Sequence, residues 1–352
     1  MPTSTTPAIT LVLGADTHKD VHVAVLLDQL GRRLAVASFS ATDAGNQQLW
    51  QWTTRFGVVS AAGVEGTGSY GHRLAQFLVG KSVQTWEINR PDRARRRRRG
   101  KSDPVDAENA ARAVLAGEVS AIPKDRRGVV GELRALLVTR RSAVKARTQA
   151  HNQLQGLLVE ADDALRAQLG KLRKAHFARA CAQVDPSDGI GRALGSLGRR
   201  WLVLNDEAKD LERQIASLVQ KHAPKLLARR GVGALSAAQL LVTAGANPHR
   251  LVSQAAFAAL CGASPVEASS GKTTRHRLNR GGDRAANTAL WMIAHVRMVH
   301  DPRTRAYAAK RTATGNSRKE IIRILKRYIA RELFPLIVEA LTSAAATSPT
   351  ST

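Results

Sequence analysis

Short apolar runs separated by turn-forming residues dominate the first 90 positions of the chain. Residues 9–15, 21–27 and 34–39 read as three strands, and the turn-like stretch 28–31 predicts an antiparallel meander. A helical stretch with Leu49, Trp50 and Trp52 follows. Residues 61–64 read as a strand running into Glu65, Ser69 as the cap of a helix carrying Leu74, Phe77 and Leu78, and residues 83–88 as another strand. A helix is then predicted from about Asp103 to Leu115.

The period then becomes that of helices. Leu133, Leu137, Val144, Leu154 and Leu158 keep heptad register, interrupted by Arg140, Arg147 and His151. Asp185-Pro186-Ser187-Asp188-Gly189 reads as a linker. Leu194, Leu197, Trp201, Leu204, Ala208, Leu211, Ile215 and Leu218 then alternate in steps of three and four, the seam of a coiled coil. Two long helices with a break between them predict an antiparallel hairpin or a dimer, and the pattern leaves both open. Beyond Pro224 the chain reads as all-helical. Arg230-Gly231-Val232-Gly233 has the form of a helix-hairpin-helix turn, whose glycines would let backbone amides approach a phosphate; a plain helix-joining turn fits equally well. Residues 263–282 are polar, basic and punctuated by glycine. A basic amphipathic helix is predicted over 319–333, with Ile322, Leu325 and Ile329 on one face and Lys326, Arg327 and Arg331 on others.

These patterns predict an α/β domain over residues 1–125, a helical coiled-coil region over 126–223, a mostly helical C-terminal domain over 224–342 and a disordered tail over 343–352. The order β-β-β-α-β-α-β-α in the first domain is that of ribonuclease H, although many α/β domains could give a similar string.

Charge changes the picture from fold to partner. The 352 residues include 54 Lys and Arg against 28 Asp and Glu, a net charge of +26. Residues 1–120 hold 15 bases and 11 acids, so nearly all of the excess lies beyond them. Such an excess predicts a nucleic-acid partner, because each neutralised phosphate releases counterions. No apolar run approaches the roughly 18 residues needed to cross a bilayer, and MPTSTTPAIT does not read as a secretory leader. Cys181 and Cys261 are too few for a disulfide framework or a multi-cysteine zinc site. A soluble, cytoplasmic protein without membrane partners is expected.

Four acids stand where chemistry can use them. Asp16 ends the first strand and Glu65 the fourth, so neighbouring strands would bring both to one sheet edge. Asp103 and Asp106, three apart, share a helix face. Four such carboxylates can hold two Mg²⁺ ions for phosphodiester chemistry. Taken singly, each acid also has a structural reading, Asp103 as a helix cap before Pro104 and Asp16 as a turn residue. Glu108 is a spare nearby. The run 90–101 holds eight bases and one acid, and Arg95, Arg96, Arg97, Arg98, Arg99 and Lys101 form a candidate phosphate clamp beside the Asp103/Asp106 pair. In the C-terminal domain Ser269 and Ser270 precede a glycine, with Lys272, Arg275, Arg277 and Arg280 as candidate phosphate contacts.

The motifs D-T-H-K at 16–19, E-G-T-G at 65–68, K-S-D-P-V-D at 101–106 and F-A-A-L-C-G-A-S-P…S-S-G-K…R-H-R-L-N-R-G-G at 257–282 together resemble the DEDD insertion-sequence transposases, relatives of the Piv-type DNA invertases. The resemblance implies a RuvC-like nuclease domain whose Asp16, Glu65, Asp103 and Asp106 bind Mg²⁺. It also implies a C-terminal serine that becomes linked to DNA. The family's pattern selects Ser270, with Ser269 as runner-up because the spacing to the later glycine pair is about a residue short. The family is similar to bridge-RNA-guided recombinases, which implies DNA, an element-encoded RNA and further copies of the chain (a dimer or tetramer) as partners. A RuvC-like junction nuclease using water and a noncatalytic basic RNA-binding protein are the rival expectations.

Overall fold

The computed structural model describes residues 10–88, 102–270 and 276–346. The chain divides into two compact units, Met1–Asp125 and Arg126–Thr352.

In the first unit the elements run β1 (Thr10–Thr17), β2 (Val21–Leu27), β3 (Arg33–Ser40), α1 (Asp43–Thr54), β4 (Val58–Glu65), α2 (His72–Gly80), β5 (Gln84–Ile88) and α3 (Asp103–Leu115). The sheet order is β3-β2-β1-β4-β5. β1, β2 and β3 form the antiparallel meander, whereas β4 lies parallel to β1 and β5 parallel to β4. This mixed sheet is consistent with a RuvC-like, ribonuclease H-like fold. β1 reads as one unbroken apolar run because both its faces are covered. Leu11 and Leu13 pack toward Leu49 of α1 and Leu74 and Leu78 of α2. Val12, with Val23, Val25 and Leu27 of β2, meets Ala107 and Ala111 of α3.

Two cap assignments differ from the sequence expectation. α2 opens at His72 behind Gly71. Ser69 instead sits in the preceding turn, where its hydroxyl donates to the Gly66 carbonyl. That turn needs φ +72° at Gly66, a left-handed conformation that favours glycine. Ser102 caps α3, so Asp103 is its first helical residue and Pro104 its second.

The second unit contains α4 (Gly128–Glu160), α5 (Asp163–Leu169), α6 (Lys174–Ala182), α7 (Gly189–His222), α8 (Pro224–Leu227), α9 (Ala234–Ala244), α10 (Gln254–Leu260), the two-residue strands β6 (Val266–Glu267) and β7 (His276–Arg277), α11 (Arg284–His300), α12 (Pro302–Ala313) and α13 (Arg318–Ala346). α4 and α7 form an antiparallel hairpin within one chain. Arg140 donates to Glu212, and Arg147 to Asn205 at 2.9 Å, so seven residues forward in α4 match seven back in α7. Two of the polar residues that interrupt the α4 seam therefore make the polar contacts across the hairpin. The buried line of α7 runs through Leu194, Gly198, Trp201, Asn205, Ala208, Leu211, Ile215 and Val219. Leu197, Leu204 and Leu218 flank that line, half-buried.

Each end of the hairpin closes on its own core. Leu154, Leu158, Leu194 and Trp201 join Phe177 and Cys181 of α6. Leu133, Leu137, Ile215 and Val219 join α9, α11 and α13. α12 was not singled out within the region expected to be all-helical, because none of its residues is fully buried; Asp301 caps it by accepting from the Thr304 amide. Among the described residues no helix is long and apolar enough to cross a membrane.

Candidate active site

The strand register dictates where the first acids meet. Ala15 of β1 pairs with Val64 of β4, so Asp16 and Glu65 end neighbouring parallel strands at the same level. Side chains alternate along a strand. Asp16 therefore shares a face with Gly14, and Glu65 with Gly63. α3 covers that face, and a Cβ on Gly63 would come within 2.5 Å of the Ala110 carbonyl oxygen. The first turn of α3, with Asp103 and Asp106, starts at this edge. A helix N-terminus favours negative charge, which partly offsets the repulsion between them.

His18 holds the cluster together. Its Nε2 lies 3.3 Å from Asp16 Oδ2 and 3.4 Å from Asp103 Oδ2. Ligand atoms of Asp16, His18 and Asp103 all lie within 4.8 Å of one another, the metal-ligating cluster found among the described residues. Asp16 and Asp106 are buried, whereas Asp103 stands at the exposed rim. Burial pushes the Asp16 carboxyl above its ordinary 3.8; His18 opposes the rise, and the charges of Asp103 and Asp106 add to it. Glu65 is half-buried at the neighbouring strand end, and its carbonyl accepts from Thr17 Oγ1 at 2.7 Å, tying β4 to β1. It is not one of the three clustered ligands.

Sequence reasoning assigned no role to His18, although it stands in the D-T-H-K motif. The available signal was its position two residues past Asp16, where the chain turns beyond β1. The donor set is mostly carboxylate oxygen with one imidazole, which fits a hard or borderline divalent cation such as Mg²⁺ or Mn²⁺. A buried carboxylate whose pKa is raised by burial and by two more acids fits the same occupant.

Glu108, the spare acid, is occupied structurally. It is buried and accepts from Arg112 Nε at 2.8 Å and from Arg33 at 3.4 Å, clasping α3 to β3. The Arg230–Gly233 turn is held from within: Arg297 Nε donates to the Arg230 carbonyl at 2.8 Å, and Arg230 to the His300 carbonyl.

Ser269 and Ser270 are exposed and follow β6. β6 pairs with β7, Val266 opposite Arg277 and Glu267 opposite His276, so both serines belong to a hairpin. Arg277 and Arg280 are exposed. Arg95, Arg96, Arg97, Arg98, Arg99, Lys101, Lys272 and Arg275 lie outside the described residues.

Two family models match the chain. Residues 13–161, which contain all four candidate carboxylates, match a DEDD transposase model of the IS110 type. Residues 223–309, which contain the serine hairpin, match the transposase model of the IS116/IS110/IS902 family. A curated relative from Streptomyces coelicolor, described as an insertion element IS110 uncharacterized 43.6 kDa protein, is 30% identical over 145 residues. That alignment covers 40% of this chain and 36% of the relative, so the chain spans about a third of the relative's length. With one family matched on both the carboxylate-bearing and the serine-bearing segments, the chain belongs to the IS110 family of insertion-sequence transposases.

Proposed function

We propose that the protein is a DNA recombinase that cuts and rejoins strands at the ends of an insertion sequence and at its target. The observation that carries this reading is the meeting of Asp16 and Asp103 at His18 at one edge of the sheet, with Asp106 near enough for its charge to act on Asp16. Asp16, Glu65, Asp103 and Asp106 offer enough oxygens for one or two Mg²⁺ ions. When bound, such cations supply charge stabilisation at the attacking and leaving oxygens of a phosphodiester.

In this reading Ser270 is the nucleophile. Its Oγ bonds to the phosphorus, the bond from phosphorus to one strand oxygen breaks, and that oxygen leaves as a hydroxyl carrying the serine's proton. The covalent Ser–O–P link conserves the phosphodiester bond. A hydroxyl from another strand then displaces the serine, which regains its proton, and no external energy source is needed. Joining several strands calls for several serines, so the working form is a dimer or tetramer. The basic excess beyond residue 120 supports DNA together with an element-encoded guide RNA as partners.

Trapping the reaction on a nicked substrate and running a denaturing gel tests the mechanism. Wild-type protein should form a protease-sensitive adduct with DNA. Ser270→Ala should abolish it, and Ser269→Ala should be milder. Cleavage without any adduct would identify a water-using junction nuclease instead. Loss of the adduct in Ser269→Ala alone would move the nucleophile by one residue.

A further inference from the structure

The second unit contains a cavity of about 460 Å³ between the β6–β7 hairpin and α13. Lys326 lines it and is only 4% exposed. Its Nζ donates to Asn287 Oδ1 at 2.8 Å. Asn287 is fixed in that orientation because its Nδ2 donates to the Cys261 and Gly262 carbonyls, each at 2.9 Å. An ammonium has three donors, and this arrangement uses one.

Among the described residues no carboxylate pairs with Lys326. Arg277, Arg327 and Arg331 line the same cavity, and among the described residues none of them pairs with a carboxylate either. Glu320, the one acid in the lining, accepts from the Ser317 amide and hydroxyl at the start of α13 and reaches Arg323 at 3.8 Å. The segment 271–275, Gly-Lys-Thr-Thr-Arg, has no acid to offer. Buried charges are normally paired. Here burial, and then the neighbouring Arg323, hold the Lys326 amine below its usual 10.5.

The donors specify the anion. A point charge at the floor and guanidinium forks on the walls suit a tetrahedral group with several oxygens. Tyr328 also lines the cavity; the residue is 52% exposed and its ring is braced edge-on by Tyr307 at 6.1 Å, a face on which a base can stack. β7 supplies Arg277 to the cavity, and Ser270 lies three residues beyond β6, about 10 Å of extended chain.

We propose that this cavity receives one backbone phosphate of the DNA strand engaged by the serine hairpin, with Lys326 at its floor and Arg277, Arg327 and Arg331 on its walls. The choice of strand rests on the reading of Ser270 as nucleophile; the phosphate site itself does not.

The test is fluorescence anisotropy of a labelled single-stranded DNA oligonucleotide on the full chain, without divalent cations, over a range of salt. Lys326→Met should weaken binding about tenfold and lower the salt slope by about one. It should also raise the melting temperature, because an unpaired buried charge is removed. Arg327→Gln and Arg331→Gln, outside the core, should weaken binding without a change in melting. Unchanged affinity and slope in all three variants would overturn the proposal. So would a lower melting temperature in Lys326→Met with unchanged binding, since the lysine would then serve Asn287 alone. Millimolar inorganic phosphate that stabilises the wild type but not Lys326→Met, with equal oligonucleotide binding by both, would make this a site for a free anion and overturn the strand assignment. The adduct gel separates the two readings. An absent adduct with a tenfold loss in Lys326→Met leaves the cavity standing and removes the serine. A normal adduct with unchanged binding does the reverse.

Discussion

Gly14 of β1 and Ala107 of α3 meet backbone to backbone: a Cβ on Gly14 would stand 1.9 Å from the Ala107 carbonyl oxygen. The opposing atom belongs to the main chain, so no side-chain rotation can relieve the clash. Gly14→Ala should destabilise the protein by about 1–3 kcal/mol or more through overpacking. It should also shift Asp103 and Asp106 away from Asp16. Gly80→Ala is the control, because a Cβ there meets nothing within 4 Å. Urea unfolding should separate the two variants clearly.

The raised pKa of Asp16 has a definite sign in stability. A carboxyl with a higher pKa in the folded than in the unfolded state contributes stability below its ordinary 3.8, and that contribution is lost as pH rises through the raised value. At neutral pH the ionised group therefore costs stability. Asp16→Asn should melt a few degrees higher than wild type near pH 7, and the gain should vanish at acid pH. Added Mn²⁺ should raise the melting temperature of wild type at neutral pH and leave Asp16→Asn nearly unchanged, while strand cleavage is lost in the variant. Thermal scans across pH, with and without the cation, read all of this.

The α4–α7 hairpin closes within one chain, so breaking its seam should unfold rather than dissociate. Leu211 is buried and Leu204 only half-buried. Leu211→Asp should cost about 3 kcal/mol or more, and Leu204→Asp markedly less. Light scattering of the folded fraction should give the wild-type mass for both. A folded variant of lower mass would show that the seam joins two copies.

Burial raises the thiol of Cys181 to about 11. At pH 8 the reactive thiolate is then on the order of one part in a thousand. Cys261 is buried too. A thiol-specific chromogenic reagent should find neither cysteine in the native protein and both after denaturation. Rapid native reaction would mean that the α6 core opens easily.

Much of this structure was legible in the sequence because burial writes itself as periodicity. β2 at 21–27 and α3 at 103–115 were bounded correctly, since one is a run of apolar residues and the other starts at a Pro-marked turn. The α7 seam was displaced by one residue at Leu197 and Leu204, because Gly198 and Asn205 hold the buried places that a hydrophobic template assigns to leucines, and at Leu218, where Val219 is the buried residue. α12 was covered only by the reading of an all-helical region beyond Pro224, because none of its residues is fully buried to mark it as a separate helix. Within the site, the parallel pairing of β1 with β4 levels Asp16 with Glu65, whereas the meeting of Asp16 with Asp103 depends on α3 packing on β1 at the Gly14–Ala107 contact, which no sequence spacing states. For His18 the sequence offered only its place two residues past Asp16; its pairing with Asp103 rests on a distance that only the fold sets. Lys326 was assigned to a basic helical face; only the packing of Asn287 against the Cys261 and Gly262 carbonyls explains why that lysine points inward.

The pairing of α4 with α7 also makes the second unit a ruler. Thirty-three residues of helix span about 50 Å, comparable to roughly fifteen base-pair steps of duplex. Because Arg140 matches Glu212 and Arg147 matches Asn205, the distance between the two end cores can change only if both arms change together. Seven residues added to each arm would separate the cores by about 10 Å and turn one against the other by about 20°. Seven added to one arm alone would leave every later cross-contact out of step. Lengthening this rod therefore requires paired insertions, whereas its surface can vary freely between them.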